Sequence, residues 1–170
     1  VEYQISKPKY LQSAIVAARR ALELADETAK KENPVSRDYV RAYWLLGAAY
    51  RMNNDWTLSE EHLSKALNLC RQINAVEAEA NILLDIARLR YASHKSGGTS
   101  QDDLKDAQEK ASEALMITER SGYVLQGADV NLFLAQYALE QEKDKVKAKA
   151  YAESALKLAY CDGPPYYYKI

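Results

Sequence analysis

Ala66-Leu67-Asn68-Leu69 occurs four times in this chain, in slightly altered spelling. The other copies are Ala21-Leu22-Glu23-Leu24, Ala114-Leu115-Met116-Ile117 and Ala155-Leu156-Lys157-Leu158, at steps of 45, 48 and 41 residues. The agreement extends upstream. Three residues before each leading alanine stand Ala18, Leu63, Ala111 and Ala152; seven before it stand Ala14, Ser59, Ala107 and Ala148. Offsets of three and seven share one face of a helix. Each copy therefore presents a small-residue seam, read here as the side where the next pair of helices docks. Self-similarity at a near-constant period marks a stacked repeat array.

The residues around the four copies divide the chain into helices. Ser6-Lys7-Pro8 is a helix start, and the stripe Leu11, Ala14, Ile15, Ala18, Leu22, Ala25 runs to about Lys31 before Asn33-Pro34 stops it. Ser36 restarts a helix with Val40, Tyr43, Trp44, Gly47 and Tyr50 on its buried face. Asn53-Asn54-Asp55 is a turn, and Thr57 with Glu60 has capping-box spacing for the next helix, to about Ile73. Asn74 reads as a left-handed terminator, ahead of a helix from Val76 to His94. Ser96-Gly97-Gly98-Thr99 is a loop, and Ser100 with Asp103 caps the helix carrying the third copy. Gly122 closes that helix, Val124 to about Gln141 forms the next, and Asp144 caps the last, which Gly163-Pro164-Pro165 ends. Seven helices follow, in antiparallel pairs.

Composition narrows the class. Only four prolines and six glycines in 170 residues leave few helix breakers. A net charge of -1 and a pI near 6.2 disfavour a dedicated nucleic-acid surface. No apolar run approaches the roughly 20 residues needed to span a bilayer. No charged-then-apolar leader opens the sequence, which begins at Val1 and reads as a piece of a longer cytoplasmic protein. Cys70 and Cys161 read as small apolar residues near helix ends rather than a disulfide. Thirteen tyrosines are expected to wedge between helices with their hydroxyls at the wet edge.

Catalytic and cofactor signals are missing. Lys95-Ser96-Gly97-Gly98-Thr99 has the composition of a phosphate loop without its order or a preceding strand, and reads as a linker. His62 and His94 lie on different helices, without metal-ligand company at helical spacing. Glu60-Glu61 and Asp102-Asp103 fall in first helical turns, where negative charge suits the helix dipole. The expectation is a non-enzyme without cofactor or metal.

The pairs beginning at Val40, Val76 and Val124 resemble tetratricopeptide repeats. The first carries Tyr43, Leu46, Gly47, Tyr50, then Trp56, Ser59, Leu63, Ala66; the second keeps Leu83, Ile86, Ala87, then Ala107, Ala111, Ala114. The third keeps Leu134, Ala135, then Ala148, Ala152, Ala155. The family's period is 34 residues, and longer helices with the Gly97-Gly98 insertion account for the excess here. The resemblance implies an all-α, right-handed α-solenoid of antiparallel helix pairs: a half repeat at 8–31, repeats at 36–73, 76–121 with a loop at 93–100, and 124–161, then the start of a truncated helix at 164–170. The closing Cys161-Asp162-Gly163-Pro164-Pro165-Tyr166 is similar to stretches ending such arrays in bacterial multidomain signalling ATPases.

In that family the first helices of successive pairs line a concave groove that binds proteins or peptides. By its positions, Arg41, Trp44, Leu45, Ala48, Arg51 and Met52 would face the groove from the first pair. Asn81, Leu84, Asp85, Arg88 and Tyr91 would follow from the second, then Asp129, Leu132, Phe133, Gln136 and Glu140 from the third. The family's basic clamp for a peptide carboxylate is not expected, since Leu45, Asp85 and Phe133 hold three of its positions. A peptide or partner helix anchored near Trp44 and Phe133 is expected instead, with arginines at one end and acids at the other. Asn81, Asp85 and Arg88 make one polar stripe at helical spacing, read either as a solvated helix face with an Asp–Arg pair or as part of the groove; on the groove reading, Asp85→Lys with Arg88→Glu is expected to weaken binding without unfolding. Uncapped array ends are expected to favour self-association. Other readings are the sensor or oligomerisation arm of a signalling ATPase and, less favoured by the charge, an RNA-binding helical repeat.

Overall fold

The three inter-helix turns at Asn54, Asn74 and Gly122 show how the local sequence sets the architecture. In the computed structural model, which describes residues 7–31, 35–97 and 101–160, all three take positive φ, at 63°, 54° and 70°. Asparagine and glycine tolerate this left-handed region where other side chains clash. The chain therefore reverses sharply at the asparagine and the glycine marked as terminators by the sequence. The helices are α1 (Lys7–Lys31), α2 (Ser36–Met52), α3 (Trp56–Gln72), α4 (Val76–Lys95), α5 (Gln101–Ser121), α6 (Val124–Tyr137) and α7 (Lys145–Ala159). No strand occurs among the described residues. The expected helix start at Ser6, the stop at Asn33-Pro34, the cap at Ser100, and everything from Cys161 onward lie outside the described residues.

Two local expectations differ from the structure. Thr57 is not a cap: α3 begins one residue earlier, at Trp56, with Asp55 at its N-cap position. The reason is the turn, which the Asp55 N–H closes by donating to the Tyr50 carbonyl at 3.0 Å, bringing the helix in early. The sixth helix is also not uniform. A single π-helical turn, Ala138–Glu142, continues α6, and Lys143 at φ 57° ends it. Such turns hold one extra residue and mark places where the helix surface is re-aimed. Asp144 does cap α7, accepting from the backbone N–H groups of Val146 and Lys147 at 3.0 and 2.9 Å.

Each helix packs on the next, most extensively within the pairs α2/α3, α4/α5 and α6/α7. First helices also touch, α2 to α4 and α4 to α6. One apolar core runs from Val40 through Leu63, Ile82, Leu83, Leu89, Ala111 and Val130 to Tyr137. A smaller cluster of Ile15, Ala18, Leu46, Ala49 and Tyr50 holds α1 on α2.

The small-residue seam is shared between two neighbours: Ser59 meets its own pair, whereas Ala18 of α1 packs on α2 of the next, so the reading that the next pair docks there holds for part of the seam. Ser59 Oγ donates to the Gly47 carbonyl of its own pair at 2.8 Å. Ser59, Leu63, Ala66, Ala107, Ala111 and Ala114 are completely buried. The outer copies show what each position needs. Ala14 is exposed in α1 and Ala152 in α7, the first and last helices among the described residues. Arg90 of α4 ties the pairs together, reaching Glu60 of α3 at 2.7 Å and Asp106 of α5 at 2.9 Å. Glu60 thus serves a long-range ion pair in addition to any dipole role.

At the α1–α2–α3 junction His62 lies between Tyr43 and Tyr50, ring centroids 5.9 and 5.4 Å away. Arg19 of α1 donates to the Tyr50 hydroxyl at 2.6 Å, and Glu61 and Lys65 flank the imidazole on α3. Burial, with Lys65 and Arg19 adding to it, holds the imidazole below the ordinary histidine range despite Glu61. A depressed folded pKa means that unfolding takes up protons. The stabilisation is complete above pH ~6.5 and is lost as the pH falls through the lower folded value. The melting temperature should therefore drop between pH 7.5 and 5, and His62→Gln should flatten that drop. An identical pH profile for the variant would remove His62 as its cause.

Candidate functional site

A concavity of about 710 Å³ lies between the N-terminal halves of α2 and α4. Its walls follow from the turn geometry. Arg37, Asp38, Arg41 and Trp44 project from successive turns of α2, and Asn74 with Ala75 forms the floor where α3 reverses into α4. Glu77 and Asn81 close the α4 side, and Tyr123 enters from the turn between α5 and α6. Arg37 and Arg41 are exposed and make no side-chain ion pair or hydrogen bond among the described residues. Glu77 accepts from the Gln126 amide at 3.0 Å, and the Asn81 amide donates to the Glu77 carbonyl at 3.2 Å. The charges on the α2 wall are thus Arg37 and Arg41 with Asp38 between them.

Of the sixteen residues the family positions single out, Arg41, Trp44 and Asn81 come together at this cavity. Leu45 points to a different recess of about 240 Å³ between α1 and α2, lined by Ala21, Leu24 and Arg41. Arg51, Asp85, Arg88 and Asp129 form an ion network that joins successive first helices. The Trp44 indole N–H donates to Asp85 Oδ2 at 2.7 Å, and Arg51 Nη2 donates to Oδ1 at 3.2 Å. Arg88 stands 3.6 Å from the same carboxylate and 3.9 Å from Asp129.

Asp85 is 6% exposed, so the solvated-stripe reading of this residue is corrected: it is a buried acceptor tying α4 to α2. Burial pulls the Arg51 guanidinium below the usual arginine range, against the pull of Asp85, and leaves its Nε without a partner. Arginine stays charged even so, and this makes Asp85 its necessary neighbour.

Phe133 is likewise turned inward. It is 6% exposed, edge-on to Tyr91 at 5.8 Å and packed beside Tyr137, whose hydroxyl donates to the Leu104 carbonyl. It locks α6 onto α4 and presents no anchor surface. Gln136 is exposed and donates to Glu140. Lys95, the Tyr91 hydroxyl and Gln136 all donate to that carboxylate and hold it down to about 2. The acids expected at the far end of the groove therefore include one already occupied by its own chain.

Sequence reading missed Arg37, Asp38, Asn74 and Tyr123 at the cavity. They sit at helix starts and turns, outside the family's groove positions, and only the doubled i, i+4 arginine on α2 signalled them. Buried Cys70 donates its thiol to the Ala75 carbonyl at 3.0 Å, and burial pushes it up to about 11, so it is a poor nucleophile. No three His, Cys, Asp or Glu residues among those described converge to hold a metal ion, and no described helix is long and apolar enough to cross a membrane. Comparison with protein-family models, with curated proteins and with solved structures finds no match to this chain.

Proposed function

We propose that this chain is a non-catalytic protein-interaction module built as a right-handed tetratricopeptide-type solenoid, taking a peptide or partner helix in its concave groove. The observation that carries the reading is the cavity between α2 and α4, where Arg37 and Arg41, unpaired among the described residues, stand beside the half-buried Trp44. A cation pair one helical turn apart, next to an aromatic surface, suits a segment with an acidic residue beside an apolar one. The role of such a module is to hold a partner within a larger signalling or regulatory protein in the cytoplasm. The internal ion network supports the same reading, since it stiffens the face on which binding would take place.

Selection from a random peptide display library tests it. Enriched sequences should carry Asp or Glu within two residues of an aromatic or aliphatic residue. Arg37→Glu with Arg41→Glu should weaken a selected peptide at least tenfold and leave the melting temperature unchanged, because neither side chain has a partner to lose among the described residues. Equal affinity for the double variant would end this assignment of the groove.

A further inference from the structure

Tyr50 of α2 is held by a neighbour on each adjoining helix. Arg19 of α1 donates to its hydroxyl from Nη2 at 2.6 Å and from Nε at 3.1 Å. His62 of α3 stacks on its ring at 5.4 Å, 12° from parallel, and on Tyr43 of α2 at 5.9 Å. Each tyrosine already has a cation near its ring. Arg19 Cζ lies 5.8 Å from the centre of Tyr50, and Lys65 Nζ lies 5.7 Å from that of Tyr43. His62 Nδ1 is buried and has no partner among the described residues.

This is a poor place for an imidazolium. A proton on Nδ1 would be a buried donor without an acceptor, and two cations already share the tyrosine rings that could receive the charge. The charged groups that face the imidazole are Arg19 from α1 and Glu61 and Lys65 from α3, with the two phenols from α2. Glu61 favours the proton, but its carboxylate is bonded to Lys65 at 2.6 Å. Burial first, then Lys65 and Arg19, outweigh it.

Arg19 links the proton to the helix. While α1 is docked, its guanidinium adds to the cost of charging His62; when α1 leaves, that charge leaves with it. Linkage is reciprocal, so a proton on His62 weakens the docking of α1 by the same factor. The cluster that fastens α1 is small: Ile15 and Ala18 pack against Leu46, Ala49 and Tyr50, apart from the core that runs from α2 to α6. Tyr50, on which His62 stacks, belongs to that small cluster. Contacts of this kind open below the free energy of global unfolding.

We infer that the junction of α1, α2 and α3 is an acid-operated latch, in which a proton on His62 releases α1 from α2 while helices α2 to α7 stay folded. The release is a local step, reached before the whole chain unfolds, and it uncovers Leu46, Ala49 and Tyr50.

Hydrogen exchange of the intact chain, read by mass spectrometry and corrected for the intrinsic rate at each pH, tests it. Peptides from 11–31 should exchange at least tenfold faster than peptides from 80–92. Their protection should fall at least threefold between pH 7.5 and 5, and His62→Gln should abolish that fall. Proton NMR gives a second measurement that does not depend on the variant. The chain has two histidines, so the His62 signal is readily assigned. Arg19 is exposed and can be replaced safely. Arg19→Gln should move the His62 titration up toward the ordinary histidine range, whereas Arg19→Lys, which keeps the charge, should leave it near that of the wild type. Three results would each overturn the inference: exchange of α1 and α4 at one common rate, acid sensitivity that survives His62→Gln, or a His62 titration indifferent to Arg19→Gln.

Discussion

Asp85→Ala should destabilise the protein by about 3–5 kcal/mol, the usual cost of removing one member of a buried ion pair. The argument rests on what is left behind. Without the carboxylate, the Trp44 indole N–H loses its 2.7 Å acceptor and Arg51 loses its only counter-ion among the described residues, in surroundings that already disfavour its charge. Arg88, two-thirds buried beside them, is then left with the more distant Asp129, 3.9 Å away, and adds a positive charge to the same cluster. Asp85→Lys should be worse, since it sets a third cation among two. Asp85→Asn keeps an acceptor for the indole and loses only the charge, so its cost should fall between wild type and Ala. At roughly 2–4 °C per kcal/mol for a chain of this size, Asp85→Ala corresponds to a fall of about 6–20 °C. Urea unfolding followed by tryptophan fluorescence and by circular dichroism would measure it. A loss under about 1 kcal/mol would mean that the network does not hold α4 on α2, and that Asp85 is free for a partner after all.

The fate of Asp85 also shows which parts of the molecule were legible in the sequence. Helices and turns depend on neighbours within a few residues, so Asn74, Gly122 and Asp144 could be read directly, and so could the small residues of each seam. What a groove position does depends on residues far along the chain. Asp85 looks like a solvated helix residue next to Arg88, yet its bonds come from positions 34 and 41 residues earlier. Phe133 looks like an anchor until Tyr91 is placed against it. The direction of the seam was only half legible for a related reason. Spacing shows that Ala14, Ser59, Ala107 and Ala148 share a face, but only the exposure of Ala14 and the Ser59–Gly47 bond show which neighbour that face meets. Periodicity identifies a buried side, whereas the partner on that side is a property of the assembled array.

Gly47→Leu should be comparably damaging, through geometry alone. A Cβ on Gly47 would lie 2.5 Å from Leu63 Cγ, 2.7 Å from its Cδ2 and 3.0 Å from its backbone nitrogen. The side-chain clashes could be relieved by a rotamer change only if Leu63 had room, and it is completely buried. The backbone contact requires α3 itself to move away from α2, which would stretch the Ser59 bond to the Gly47 carbonyl. Two effects compete. Replacing a mid-helix glycine gains about 0.8–1 kcal/mol of helix propensity, while overpacking a filled core costs about 1–3 kcal/mol or more. For Gly47→Ala the two nearly balance, and a small loss is expected. For Gly47→Leu three further carbons enter the same space with no further gain, so the steric cost dominates and the α2/α3 pair should open. A double-mutant cycle separates this from any general fragility of α2. Leu63→Ala alone should cost about 2–5 kcal/mol through the cavity it leaves. Combined with Gly47→Leu it should cost at least 1 kcal/mol less than the two changes added, because the new side chain fills the vacated space. Calorimetry on the four proteins would decide the matter. Additive losses, or an unchanged melting temperature for Gly47→Leu, would show that the close approach of α2 and α3 is not what the seam provides.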